Sequence, residues 1–419
     1  MKKLLLPLLV LCVSAAWAAE TTALTFYQQA LSDFPTKISK QTRDYALSLT
    51  DGLETWSFQH PNDKNVQTAL LLQTRLYLRS QLNEMALVPL FRLRFLFPQT
   101  SAITMTRLLN LSIENMPEVQ RTLATQLFTP NPAVKEPENL SSEEKEAKAL
   151  YALSKLEGKL LYPAAAQAFE NFFRRYPSYK GNNEVELWYG DLHRANGNYH
   201  AAISQYKKAS ELYPDSPYQA ASLRLIGDIY ADNLKDTPAA TAAYTRVLNE
   251  YPESAERGVV YKHMAILDEN NKQYDSALIN YDEAIKLLGI TQASYEAYSG
   301  KADVYMKTKN YEDAYNQWHR TADAFKAEKQ KSLHALMQAA DIAKKRLRDN
   351  SRYTQTLEKA LLQNDSADER PQLMFDLASA YEQTAAAEKA KALYQKIIVE
   401  YPVSKQASKA QGRLSKLEK

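Results

Sequence analysis

Residues 183–214 read NEVELWYGDLHRANGNYHAAISQYKKASELYP, and this stretch decides the fold. It contains two short helical patterns back to back. The first carries Leu187, Tyr189 and Gly190. Asn196-Gly197-Asn198 forms a turn. The second pattern carries Tyr199, Ala202, Tyr206 and Ala209, and it stops at Tyr213-Pro214. Apolar residues three and four apart place one face of each helix against its partner.

The unit recurs. A small or apolar residue in each first helix falls at Leu153, Gly190, Gly227, Ala265, Ala302, Ala340 and Ala378, always 37 or 38 positions apart. An independent marker keeps the same period. Tyr-Pro ends the second helix at Tyr176-Pro177, Tyr213-Pro214, Tyr251-Pro252 and Tyr401-Pro402. Sustained self-similarity of this length is the mark of a helical solenoid. Within each second helix a small residue (Ala165, Ala202, Ala240, Ala277, Ala314, Ala390) allows close approach. A large aromatic follows four residues later: Phe169, Tyr206, Tyr244, Tyr281, Trp318 and Tyr394. The unit from Ser332 to Asp365 keeps Ala340 and Leu357 but lacks the aromatic. Ser404–Glu418 reads as a final basic helix that caps the stack.

Outward from the array the pattern loosens. Thr22–Phe34 and Ser39–Phe58 read as helices, with Asp51-Gly52 as a possible break in the second. Asn65–Ser80 and Leu82–Phe97 form a clearer pair, and Ala102–Asn115 and Pro117–Phe128 a degenerate one. Thr129–Asn139, TPNPAVKEPEN, has three prolines and no apolar periodicity. Ser141 and Glu144 then form a capping box. These features place an N-terminal helical region at 19–128, a Pro-rich linker at 129–143, an array of about seven repeats at 144–403 and a cap at 404–419. The alternative is a long loop within one continuous stack.

The first 18 residues read as a signal peptide. Lys2 and Lys3 precede the apolar run Leu4–Val13, and Ala16-Trp17-Ala18 is a small-x-small cleavage site. The run is short for a membrane span. Cleavage after Ala18 removes Cys12, the sole cysteine, so the mature chain has no disulfide and no thiol chemistry. Leu11 before Cys12 argues against lipid attachment. These features point to the periplasm of a Gram-negative bacterium. The formal charge of +3 gives no reason to expect nucleic acid.

The repeats resemble the tetratricopeptide repeat family, whose pattern is W-x2-L-G-x2-Y, then A-x3-F, A and P. Leu223, Ile226, Gly227, Tyr230, Ala240, Tyr244 and Pro252 match it, as do Met374, Leu377, Ala378, Tyr381, Ala390, Tyr394, Ile397 and Pro402. His193 and Asp268 stand where the family prefers Tyr. The units are also longer than the family's 34 residues. The resemblance implies an all-α, right-handed superhelical solenoid that binds protein or peptide partners. Second helices ending in Tyr-Pro-x-Ser, at Tyr213–Ser216 and Tyr251–Ser254, are similar to those of periplasmic envelope repeat proteins. The repeat lipoprotein of the β-barrel assembly machine and the Tol–Pal-associated cell division coordinator are two such proteins.

No signature of catalysis is present. The six histidines (60, 193, 200, 263, 319, 334) never pair at the spacing that puts two metal ligands on one helix face. There is no G-x-S-x-G, P-loop or G-x-G-x-x-G. Neither a cofactor nor a metal is expected. Most of the tyrosines fall at stacking positions.

In the resembled family the first helices line a concave groove. Transferred to this chain, that geometry selects Glu184, Leu187, Asp191 and Arg194, then Arg224, Asp228 and Asp232. It next selects Lys262, Glu269 and Asn270, and finally Glu296, Asp303 and Lys307. Their mixed signs suit a protein or peptide better than a polyanion. The leading expectation is a non-enzymatic periplasmic scaffold for envelope (outer-membrane) assembly, transport or division. A peptidoglycan- or polysaccharide-binding component of an export machine is the alternative, and an unrecognised hydrolase a third possibility.

Overall fold

The computed structural model describes residues 20–61, 63–130, 139–213, 216–363, 369–384 and 386–417. The expected signal peptide with Cys12, most of the Pro-rich stretch and Pro214 lie outside the described residues. Those described are helical, with no strand among them. The chain divides into two compact units, one ending at Ile229 and one beginning at Tyr230.

The first unit runs α1 (Glu20–Ser32), α2 (Lys40–Gln59), α3 (Val66–Arg79), α4 (Leu87–Leu96), α5 (Ala102–Ile113) and α6 (Glu118–Phe128). It continues with α7 (Ser142–Ser154), α8 (Leu161–Arg175), α9 (Asn182–Ala195), α10 (Tyr199–Glu211) and α11 (Gln219–Asp228). The second unit holds α12 (Thr237–Glu250), α13 (Glu256–Asn270), α14 (Tyr274–Leu288), α15 (Gln292–Lys307) and α16 (Tyr311–Ala324). After these come α17 (Lys329–Ile342), α18 (Asn350–Gln363), α19 (Arg370–Gln383), α20 (Ala387–Glu400) and α21 (Lys405–Leu417).

Local chemistry sets the helix ends. Ser141 Oγ accepts from the Glu144 amide, and the Glu144 carboxylate accepts from the Ser141 amide at 2.7 Å. Tyr176, Tyr251 and Tyr401 are C-caps, and the proline after each prevents continuation. The expected turn at Asn196-Gly197-Asn198 forms, with Gly197 at φ 76°. Later hairpins place Lys235, Lys272, Lys309 and Arg348 in the same left-handed region, where a side chain costs about 1 kcal/mol.

Packing follows the periodic positions. Ala165, Ala202, Ala240, Ala277, Ala314 and Ala390 are fully buried, and so are Phe169, Tyr206 and Tyr394. A Cβ on Gly190 would fall 2.3 Å from Tyr206 Cε1, and one on Gly300 would fall 2.4 Å from the Tyr281 hydroxyl. The unit lacking an aromatic still forms a hairpin, α17–α18, around buried Tyr353 and Leu357. α21 buries Ala407, Ala410 and Leu414 against the core of Tyr394 and Ile397.

The structure differs from the sequence reading at Gly52 and adds two further features. α2 runs unbroken through Gly52, whose missing side chain makes room for the Tyr27 hydroxyl from α1. Two π-helical turns, Ile229–Leu234 and Ala343–Leu347, extend first helices. They absorb one added residue: the left-handed residue follows Gly190, Ala265 and Ala302 by 7 positions, but Gly227 and Ala340 by 8. Finally, the helices flanking the Pro-rich stretch share one core. Phe91, Leu93 and Phe128 belong to the same buried cluster as Leu150, Leu153 and Phe172.

A buried ionic network crosses that junction. Arg92 of α4 bonds Glu54 of α2 at 2.6 Å and Glu146 of α7 at 3.2 Å. Arg175 of α8 bonds Glu146 at 2.6 Å. Asn171 and Gln73 donate to Glu54 at 3.1 and 3.3 Å. Burial opposes the charge of Glu54, yet Arg92 and Arg175 together hold its carboxyl below the usual range. Removing one partner strands a buried charge, which costs more than the intact network contributes. Arg92→Met is therefore expected to lower stability by ~3–5 kcal/mol in urea unfolding. A loss under ~1 kcal/mol would show that solvent balances the two carboxylates.

Candidate functional site

In the first unit, α9 presents Glu184, Leu187, Asp191 and Arg194, all half-buried. Asp191 follows Gly190 directly, so it lies at the edge of the α9–α10 contact. Both its oxygens are used. Lys155, from the end of α7, bonds one at 2.8 Å, and the Tyr206 hydroxyl donates to the other at 2.7 Å. Burial and the neighbouring Glu184 carboxylate raise the Tyr218 hydroxyl above its usual value. Arg224 bonds Asp228, one turn later on α11, at 2.5 Å, and Asp228 is buried.

The second unit brings its predicted residues together across hairpins. Lys262 of α13 bonds Glu296 of α15 at 2.6 Å. Glu269 of α13 accepts from the Tyr281 hydroxyl at 2.8 Å and from Lys307 of α15 at 2.6 Å. Asp303 is open to solvent, but the protein packed around it and the charge of Glu269 raise its carboxyl above the usual value. The bond to Glu269 raises the Lys307 ammonium in turn. Asp232 and Asn270 are exposed.

A motif joins these sites. The stacking tyrosine of the second helix donates its hydroxyl to a carboxylate on the first helix. Tyr206 does so to Asp191, Tyr281 to Glu269, and Tyr394 to Glu382 at 2.6 Å. Burial and these bonds push the hydroxyls up, Tyr394 to about 12. In sequence the tyrosines read as packing residues, and neither Glu382 nor Lys155 is among the residues selected for the groove. Glu382 was within reach, since an acid one or four positions after the small residue faces the tyrosine. Lys155 had no such signal.

Residues 183–253 and 372–404 match tetratricopeptide repeat models. These stretches are tetratricopeptide repeats. A tetratricopeptide repeat protein from Parabacteroides merdae shares 17% identity over 66% of this chain and 99% of its own, with a TM-score of 0.36. The type IV pilus biogenesis factor PilW shares 14% over 55% and 98%, at 0.32. A Rap protein crystallised with competence and sporulation factor shares 13% over 94% and 98%, at 0.37. No curated protein matches the sequence.

In each unit the first helices carry residues of both charges. Two cavities of the first unit include none of the predicted residues. No group of three or more His, Cys, Asp or Glu among the described residues is placed to hold a metal, and no described helix is long and apolar enough to cross a membrane. Within each unit the charges are paired, and the pairs of Lys155 and Lys307 reach solvent through the lysine, which is 34% and 52% exposed.

One ionisable group of α9 lies off this face. Glu186 is 7% exposed, and its Oε2 has no hydrogen-bond partner. Burial pushes its carboxyl up to about 7, and Lys208 offsets this only in part. A raised carboxyl favours the folded state at low pH, and that advantage fades as pH rises from the unfolded value through about 7. Buried His193, held down to about 4, acts oppositely between about 4 and 6.5. Glu186→Gln is therefore expected to stabilise the protein at pH 8 by up to ~3 kcal/mol and to do little at pH 4.5. Urea unfolding at the two pH values checks this, and equal effects at both would refute it.

Proposed function

We propose that this protein is an exported, non-catalytic scaffold that binds protein or peptide segments along its first-helix face. Its place in this proposal is the periplasm of a Gram-negative bacterium, in envelope assembly, transport or division. The N-terminal segment and the cysteine-free remainder of the chain support export. The tetratricopeptide repeats support protein binding.

The observation that carries the proposal recurs in each unit by itself. Asp191 in the first and Glu269 in the second are fixed by tyrosines yet paired with lysines that remain partly or largely exposed. A partner ammonium or guanidinium can replace the lysine while the tyrosine still holds the acid in place. Each such site suits a cationic side chain of a bound segment.

Photocrosslinkers at 191, 232 and 303 in cells are expected to trap discrete protein partners. Lys307→Glu is expected to weaken capture at 303 severalfold. Capture from Lys207 and Lys286 on the second helices, with none from the three face positions, would refute the assignment.

A further inference from the structure

α21 differs in charge from the other α-helices described in the second unit. Those carry residues of both signs, whereas Lys405–Leu417 holds three lysines and one arginine and no acid. Spacing gathers the four on one side. Lys405, Lys409 and Arg413 are four residues apart and Lys416 follows three later, so they form a stripe along about 16 Å of helix. Ala407, Ala410 and Leu414 take the buried side. All four cations are exposed.

Helix stability does not account for this stripe. Lys405 stands in the first turn, where the helix dipole disfavours a cation, and that turn has no acid to offset it. Like charges four residues apart also oppose the helix. Nor are the cations neutralised. Arg413 meets Glu382 of α19 at 3.4 Å, but that carboxylate already accepts the Tyr394 hydroxyl. Lys409 lies over the ring of Phe375 on α19, 5.8 Å from its centroid. Lys405 and Lys416 form no ion pair among the described residues.

The stripe suits a carboxylate-bearing chain. Four residues of helix rise about 6 Å, and alternate side chains of an extended segment are about 6.6 Å apart on one face. Carboxylates at every second position can therefore meet Lys405, Lys409 and Arg413 in turn. A lipid surface fits less well. A basic helix that binds membrane inserts its apolar side, and α21 buries that side against Tyr394 and Ile397.

We propose that the cationic stripe of α21 docks an extended acidic segment of a partner protein, its alternate carboxylates pairing with Lys405, Lys409, Arg413 and Lys416. This surface selects the opposite charge to the sites at Asp191 and Glu269, and it stands whether or not those sites bind.

Calorimetric titration of the purified protein with a synthetic peptide of alternating glutamate and serine, about ten residues long, tests the proposal. At about 20 mM salt the peptide is expected to bind with a Kd of roughly 0.1–1 mM, weakening severalfold at about 150 mM. Lys405→Gln, Lys409→Gln, Arg413→Gln and Lys416→Gln combined are expected to weaken it about tenfold or more. Lys235→Gln, Lys272→Gln, Lys286→Gln and Lys326→Gln combined remove the same charge from other exposed positions of this unit, and are expected to change it less than about twofold. Both variants alter exposed residues alone, so urea unfolding is expected to show them folded. Equal weakening by the two sets would overturn the proposal, and so would absence of binding at about 10 mM peptide. Stripe-dependent binding to vesicles of about one-third phosphatidylglycerol, with none to the peptide, would overturn it in favour of a lipid surface.

Discussion

The contact on which the structure depends is an aromatic ring of one helix laid on the bare backbone of its neighbour. Tyr206 sits so close to Gly190 that even a methyl group there would collide with its ring. Elsewhere alanine serves, and Ala265, Ala302 and Ala378 are as fully buried as the aromatics of their hairpins. The ring supplies apolar area that a hairpin cannot bury alone, so each unit is stable only when stacked. In Tyr206, Tyr281 and Tyr394 the same ring carries a hydroxyl, and its hydrogen bond ends on a carboxylate of the first helix. Packing and the proposed recognition thus meet in one side chain.

Charge is used in two different ways. Around Arg92 and Arg175 the ions are buried, and Asn171 and Gln73 add hydrogen bonds to Glu54. The network joins α2, α4, α7 and α8 by interactions whose geometry cannot relax without loss. Along the first helices the pairs reach solvent, as Lys307 does at 52% exposure. Such pairs order the surface without committing it. A stable core and an exchangeable face are therefore built from the same residue types, separated by burial.

The stack was legible because it is local and periodic. Small residues, aromatics and Tyr-Pro endings repeat at one interval, and each position has one physical purpose. The network of Arg92, Glu54, Glu146 and Arg175 was not legible, because its members come from non-repeating helices and share no spacing. Gly52 misled for a related reason: a glycine that permits close approach of Tyr27 looks, in sequence, like one that ends a helix. On the proposed binding face, the first-helix register selects the positions. It does not select pairings such as Lys155 with Asp191, since they depend on how far a long side chain reaches into the next unit.

The stacking tyrosine holds the first-helix carboxylate by a buried, charge-assisted hydrogen bond. A double-mutant cycle of Tyr281→Phe and Glu269→Gln, followed by urea unfolding at pH 7, measures that bond. A coupling energy of ~1.5–3 kcal/mol is expected. Additive effects, with coupling below ~0.5 kcal/mol, would show that the tyrosine does not hold the acid.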